Sequence, residues 1–223
     1  ASDVYKRQNL ESIFQHCSYK RENRGMKAVR VSDQVIELCD VPEPKGEGVL
    51  VNVEAVGICG SDLHLIDSNM MNVIPGHEIS GITSSGHPVA IEPMLSCGIC
   101  RHCDEGLQPY CDSALPNTMG IGIDGGMAEK IIVPERFLTP LPNGIDVRDA
   151  FLVEPLAVAV RSLLRVGSNS LKRIVVVGGG TIGLCCVAVA KYFGAEVELH
   201  ARHQHQIDAC LLYTSDAADD GYR

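Results

Sequence analysis

The chain has 223 residues, enough for one large domain or two modest ones with a real core. Its 45% hydrophobic and 21% charged content is that of a globular protein, and a net charge of −9 opposes nucleic acid or an anionic membrane surface as a partner. Trp is absent and aromatics are 4%, which argues against base-stacking platforms. In chain order, short apolar runs at 26–31, 35–38, 88–92 and 130–133 alternate with Gly, Pro and Ser clusters. The run Val49 to Cys59 has strand periodicity, so the first part reads as a small β-barrel or sandwich. The texture changes near 145–150. Residues 149–166 carry a helical apolar pattern, Ile174 to Val177 is a buried-strand run, and Gly178 to Gly183 is a turn. Leu184 to Phe193 reads as a helix and Glu196 to His200 as a second strand, the start of a βαβ unit. The longest uncharged run, 17 residues between Arg173 and Lys191, is short for a membrane span and carries Gly178, Gly179 and Gly180 inside it.

The two ends share an origin at the DNA level. Residues 1–8 read Ala-Ser-Asp-Val-Tyr-Lys-Arg-Gln, and 210–217 read Cys-Leu-Leu-Tyr-Thr-Ser-Asp-Ala. One DNA sequence encodes the first, and its reverse complement, read one base out of frame, encodes the second. The repeat resembles a transposon-end adapter of sequencing libraries. On this reading 1–8 and 210–223 are foreign, 9–25 is translated upstream sequence, and Cys210 is not native. The expected division is 1–25 and 210–223 as artefact, 26–148 as a β domain, and 149–209 as the start of an α/β domain. Ten cysteines without a secretory signal pattern are expected to serve metal or redox chemistry in a reducing, cytoplasmic compartment.

Cys97, Cys100, Cys103 and Cys111 are spaced C-x2-C-x2-C-x7-C. Four thiolates satisfy tetrahedral zinc, and Gly98 and Gly106 let one loop wrap the ion; an iron–sulfur cluster is the rival occupant. With all four positions filled, the site is closed and structural. A second constellation comprises Cys59, Ser61, Asp62 and His64, then His77 and Glu78, and later Glu154. A thiolate, an imidazole and carboxylates form the ligand set of a zinc that keeps one position open. Asp62 can hold the other nitrogen of His77, and Ser61 and His64 can relay a proton to bulk water.

The stretch Val175-Val-Val-Gly178-Gly-Gly180-Thr181-Ile182-Gly183 fits G-x-G-x-x-G between a strand and a helix. Gly178 serves the tight turn, Gly180 the approach of a pyrophosphate, and Gly183 close helix–strand packing. The following strand ends Glu198-Leu-His200-Ala201-Arg202. Alanine followed by arginine, where a ribose-binding carboxylate normally stands, favours NADP over NAD; an alignment shifted by a residue brings Glu198 or His200 near. His200, His203 and His205 read as a solvated strand end.

With both cysteine-bearing sites and the glycine turn, the chain from Met26 to about Ala209 resembles the medium-chain, zinc-dependent alcohol dehydrogenase family. The motifs are Gly57-Ile-Cys-Gly-Ser-Asp-Leu-His64, Gly76-His-Glu78, the four-cysteine loop, Gly125-Gly-Met-Ala-Glu129, Glu154-Pro-Leu156 and the glycine turn. The resemblance implies a GroES-like β-barrel catalytic domain followed by the start of an α/β Rossmann domain. It implies two zinc ions per chain: one structural, on the four cysteines, and one catalytic, on Cys59 and His77 with Glu78 and Glu154 as candidate third and fourth ligands. Glu154, where some members carry cysteine, looks like the polyol and sugar dehydrogenase branch. The implied reaction is hydride transfer between a secondary alcohol or polyol and NAD(P), by a homo-oligomeric full-length parent. The rivals are a zinc-free reductase of carbonyls or activated double bonds and a zinc-stabilised binding module. The segment from His64 to Gly76 is short for the family, and Gly86-His-Pro-Val89 replaces the usual Gly-Asp-x-Val. Much of the nucleotide sheet is absent, so residues 1–223 alone are expected to expose apolar sheet surface, dissolve poorly and show no turnover.

Overall fold

A computed structural model describes residues 25–167 and 172–214. The readings made for 1–24 and 215–223 lie outside the described residues. The chain divides between Phe151 and Leu152 into two compact units.

The first unit opens with a hairpin, β1 (Met26–Ser32) and β2 (Val35–Val41), paired in register from Met26–Val41 to Ser32–Val35. β3 (Val49–Gly57) then leads into helix α1 (Gly60–Asp67). β4 (Glu78–Thr83) and β5 (Pro88–Ile91) follow, and a loop carries the short helix α2 (Arg101–Asp104). β6 (Lys130–Val133) and β7 (Leu138–Pro140) complete an antiparallel five-stranded sheet of order β6-β3-β4-β5-β7. The hairpin is stitched to this sheet through residues 127–129. The Val29 N–H donates to Met127 O, Glu129 N–H to Lys27 O, and Val53 N–H to Glu129 O.

The central strand β4 is absent from the sequence reading. Its residues Glu78-Ile-Ser-Gly-Ile-Thr83 are buried on both faces apart from half-buried Ile82, so no apolar–polar alternation marks them. Its polar Ser80 is satisfied by donating to Val147 O at 2.6 Å. The core around β3 and β4 gathers Val51, Ile79, Val89, Ile91, Ile131, Val133 and Phe137. Val51, Ile79 and Val133 are fully buried, each contributing about 2 kcal/mol by transfer from water.

In the second unit, a 3-10 turn at Ala150–Leu152 leads from the first unit into α3 (Val153–Arg165). The sequence pattern starts this helix four residues early, because the turn carries the same apolar spacing. Pro155 fits the first turn of α3, where its missing N–H has no intrahelical partner to lose. Then come β8 (Arg173–Val177), α4 (Thr181–Tyr192), β9 (Glu196–His200) and α5 (Gln204–Thr214). β8 and β9 are parallel, with Val175 opposite Glu198. α4 starts three residues before the apolar run that signals it, since Gly180 caps it. Ala159, Leu163, Val187, Ala190 and Val197 form this unit's core, with Cys210 of α5 packed against it. Val175 and Val177 of β8 are 54% and 83% exposed.

Candidate metal centres and dinucleotide turn

The four-cysteine loop closes on itself. Sγ–Sγ distances are 3.6 Å for Cys97–Cys111, 3.6 Å for Cys100–Cys103 and 3.9 Å for Cys97–Cys103. Four sulfurs at about 2.3 Å from a shared tetrahedral centre stand about 3.8 Å apart, so the cage fits zinc without rearrangement. Backbone donors face the sulfurs, Gly98 N–H to Cys103 at 3.3 Å and Cys97 N–H to Cys111 at 3.5 Å. The Cys97 N–H holds the Cys111 thiol down at about 6. Arg136, over the Phe137 ring at 4.7 Å, donates to Ser96 O at 2.8 Å and so pins the start of the loop. Gly98, at φ +76°, leaves room for that guanidinium, since a Cβ there would sit 3.0 Å from Arg136 Nη1.

The second cluster is assembled from separate elements. Cys59 precedes α1, His77 precedes β4, and Glu78 is its first residue. The Cys59 Sγ, a His77 ring nitrogen and a Glu78 carboxylate oxygen all lie within 4.8 Å of one another. Asp62 ties two of them together. One of its oxygens accepts the Cys59 N–H at 2.9 Å, as in a capping box, and the other faces His77 Nδ1 at 3.4 Å. The carboxyl and imidazole are buried, and neither Asp62 Oδ1 nor His77 Nδ1 has a hydrogen-bond partner. A buried carboxylate behind the imidazole, with a cysteine and a glutamate beside it, fits a site built to hold a cation at the far side of the ring. Ser61 Oγ stands 3.4 Å from His77 Nε2. His64 is exposed one turn further along α1.

Electrostatics agree with that reading. Burial pulls the His77 imidazole down, but Asp62 and Cys59 together push it up to about 9. Metal binding therefore has to displace a proton from this ring. Burial raises the Glu78 carboxyl, against a smaller opposing pull from His77. Gly57 makes the space for Glu78, because a Cβ at Gly57 would lie 1.9 Å from Glu78 Oε2. Glu154 stands in the first turn of α3, in the second unit.

The motif Gly125-Gly-Met-Ala-Glu129, noticed as a resemblance, acquires a structural task. Gly125 and Gly126 donate to Ile74 O and Gly76 O at 2.7 and 2.8 Å, immediately before His77. Asp124, which sequence reasoning missed, accepts the Ile74 N–H at 2.9 Å. The Asp-Gly-Gly triplet signals a turn in sequence, but not what the turn holds.

In the second unit, the glycine turn has the expected geometry. Gly178 has φ +108°, and a Cβ on Gly183 would lie 1.9 Å from Gly178 O. Gly180 caps α4, with open space where its Cβ would be, and Thr181 and Ile182 form the first exposed residues of the helix. Ala201 abuts the turn: a Cβ on Gly179 would be 2.9 Å from the Ala201 Cβ. Arg202 follows, exposed. Glu198 is engaged elsewhere, with His200 at 2.7 Å and Arg173 at 3.5 Å. The exposed rings of His203 and His205 stack on each other at 5.4 Å.

A β domain with two thiolate-bearing ligand sets, joined to a unit with a dinucleotide-type turn, defines the class. Residues 45–143 match the alcohol dehydrogenase GroES-like domain. The chain is 36% identical over 176 residues to an uncharacterized zinc-type alcohol dehydrogenase-like protein of Haemophilus influenzae, covering 72% of this chain and 51% of that protein. It is 34% identical over 189 residues to D-xylulose reductase A of Aspergillus niger, covering 77% and 51%. The structure of galactitol-1-phosphate dehydrogenase from Escherichia coli superposes with a TM-score of 0.77 at 27% identity, covering 84% of this chain and 59% of that one. Residues 45–143 thus belong to the alcohol dehydrogenase GroES-like domain family, and the chain as a whole is similar to zinc-type alcohol dehydrogenases. It spans about half the length of the curated relatives it matches. Among the described residues, no helix is long and apolar enough to cross a membrane.

Proposed function

We propose that the whole protein is a zinc-dependent oxidoreductase moving a hydride between a secondary alcohol or polyol and NAD(P). The observation that carries this is the convergence of Cys59, His77 and Glu78 within 4.8 Å, with Asp62 behind the imidazole. In this reading Cys59, His77 and Glu78 hold one zinc, Glu154 is a further ligand candidate, and Cys97, Cys100, Cys103 and Cys111 hold a second. When bound, zinc supplies Lewis acidity and the nicotinamide supplies a hydride acceptor. The chain supplies orientation and proton handling. Asp62 fixes the imidazole; Ser61 Oγ accepts the substrate's hydroxyl proton while giving up its own, and exposed His64 carries that proton to water.

Gly178, Gly180 and Gly183 shape the pyrophosphate seat, and Thr181 and Ile182 present the helix N-terminus to it. Ala201 against the turn, Arg202 beside it and an engaged Glu198 support NADP as the cofactor. Named relatives that act on xylulose and galactitol phosphate support a polyol or sugar-alcohol substrate. A reducing, cytoplasmic setting belongs to this reading, because the cysteines of both clusters hold metal only in the reduced form. The parent is a homo-oligomer in this reading.

The test is turnover by the full-length parent on a polyol panel with both cofactors. Cys59→Ser or His77→Ala abolishes activity, and Arg202→Ala lowers the NADP-over-NAD preference by about tenfold, the worth of one charge-assisted hydrogen bond. Activity surviving either ligand change refutes the zinc assignment. An intact ligand set of thiolate, imidazole and carboxylate disfavours the zinc-free reductase, and the −9 charge disfavours a nucleic-acid module.

A further inference from the structure

We infer that the loop Asp124–Gly126 is the positioning element for His77, and that Asp124 governs the metal affinity of the second cluster without touching it. This inference rests on the metal reading of Cys59, His77 and Glu78. The segment Ile74-Pro75-Gly76 delivers His77, and it is held by no helix and no strand ladder of its own. It is clamped from one side instead. Ile74 N–H donates to Asp124 Oδ1 at 2.9 Å, while Gly125 N–H, Met127 N–H and Gly126 N–H donate to Ile74 O, Pro75 O and Gly76 O. Each polar group of the segment that the clamp reaches is thus fixed by residues about fifty positions later in the chain.

The contact is backbone on backbone. A Cβ on Gly125 would lie 2.3 Å from Gly76 O, and one on Gly120 would lie 2.6 Å from Gly76 C. Gly76 itself has φ +94°, a conformation that only glycine adopts freely. A side chain at Gly125 must push Gly76 away, and the next residue is the imidazole ligand. The ring is oriented at its two nitrogens by Asp62 Oδ1 and Ser61 Oγ, each at 3.4 Å. Its backbone is placed by the residues before it, and so by the clamp. Asp124 is the one side-chain anchor in the set, which makes it the point where a substitution tests position without adding bulk.

Cobalt(II) titration of the full chain, read by d–d absorption, counts both sites separately, because the all-thiolate cage and the mixed cluster absorb differently. The unsubstituted chain takes up two cobalt ions. Asp124→Ala and Gly125→Ala weaken the mixed site by about tenfold, the lower range for outer-shell partners, and leave the four-cysteine site at full occupancy. Asp124→Asn keeps an acceptor oxygen for the Ile74 N–H and retains near-normal affinity. Unchanged mixed-site affinity in Asp124→Ala overturns the inference, as does parallel loss at both sites, which marks a general loss of fold. If Gly125→Ala does not fold, Asp124→Ala against Asp124→Asn decides alone. A single cobalt in the unsubstituted chain overturns the underlying metal reading and this inference with it, an outcome distinct from two cobalts with an indifferent Asp124.

Discussion

The four-cysteine lobe and the Cys59, His77, Glu78 cluster use similar ligand chemistry and opposite construction. The lobe draws four sulfurs from fifteen consecutive residues, and their 3.6–3.9 Å separations already match a tetrahedron. Its outside support is narrow, the Arg136 bond to Ser96 O. The cluster draws its ligands from two chain segments, half-buries Cys59 and buries His77 and Glu78, backs the imidazole with buried Asp62, and leans on residues 120–127 for its geometry. A local cage holds its metal as a fold element. A scattered, buried set with unspent polar atoms leaves room for a metal to do chemistry on something else.

That contrast can be broken by substitution. The largest effect is expected from exchanging the damage. In the full-length parent, Cys59→Ser abolishes turnover with little change in thermal midpoint, while Cys103→Ser lowers the midpoint and exposes the loop to proteolysis. Equal loss of stability from both would erase the distinction between the sites. Next comes Asp62→Ala, which frees His77 and removes the cap on the Cys59 N–H. Metal affinity of the cluster falls by about 10–100-fold with the lobe unaffected, measured by chelator competition. The smallest effect is Arg136→Ala. It removes the bond to Ser96 O and the contact over Phe137, costing about 1 kcal/mol in the lobe's unit and nothing in cluster affinity.

The same contrast decides what could be read from sequence. The lobe was legible in full because its spacing is local, as were Gly178 and Gly183, whose tasks arise within one turn. β3, β8 and β9 were legible from alternation or apolar runs. β4 was not, since a strand buried on both faces and carrying Ser80 and Gly81 has no period to detect. The ligands of the cluster were legible as residue types of a zinc set, strengthened by resemblance, but not as a shared seat. Their convergence depends on Gly57 leaving space for Glu78 and on Gly120 and Gly125 meeting Gly76, contacts between residues tens of positions apart. Asp124 left no signal beyond a turn.

Zinc counted per chain in the intact parent, before and after Cys59→Ser and Cys103→Ser, bears most directly on the claim that two distinct centres share one β domain. The account requires two ions in the unsubstituted protein, with each variant losing one and keeping the other. Fewer than two at the outset, or a Cys59→Ser protein that still holds both, contradicts it.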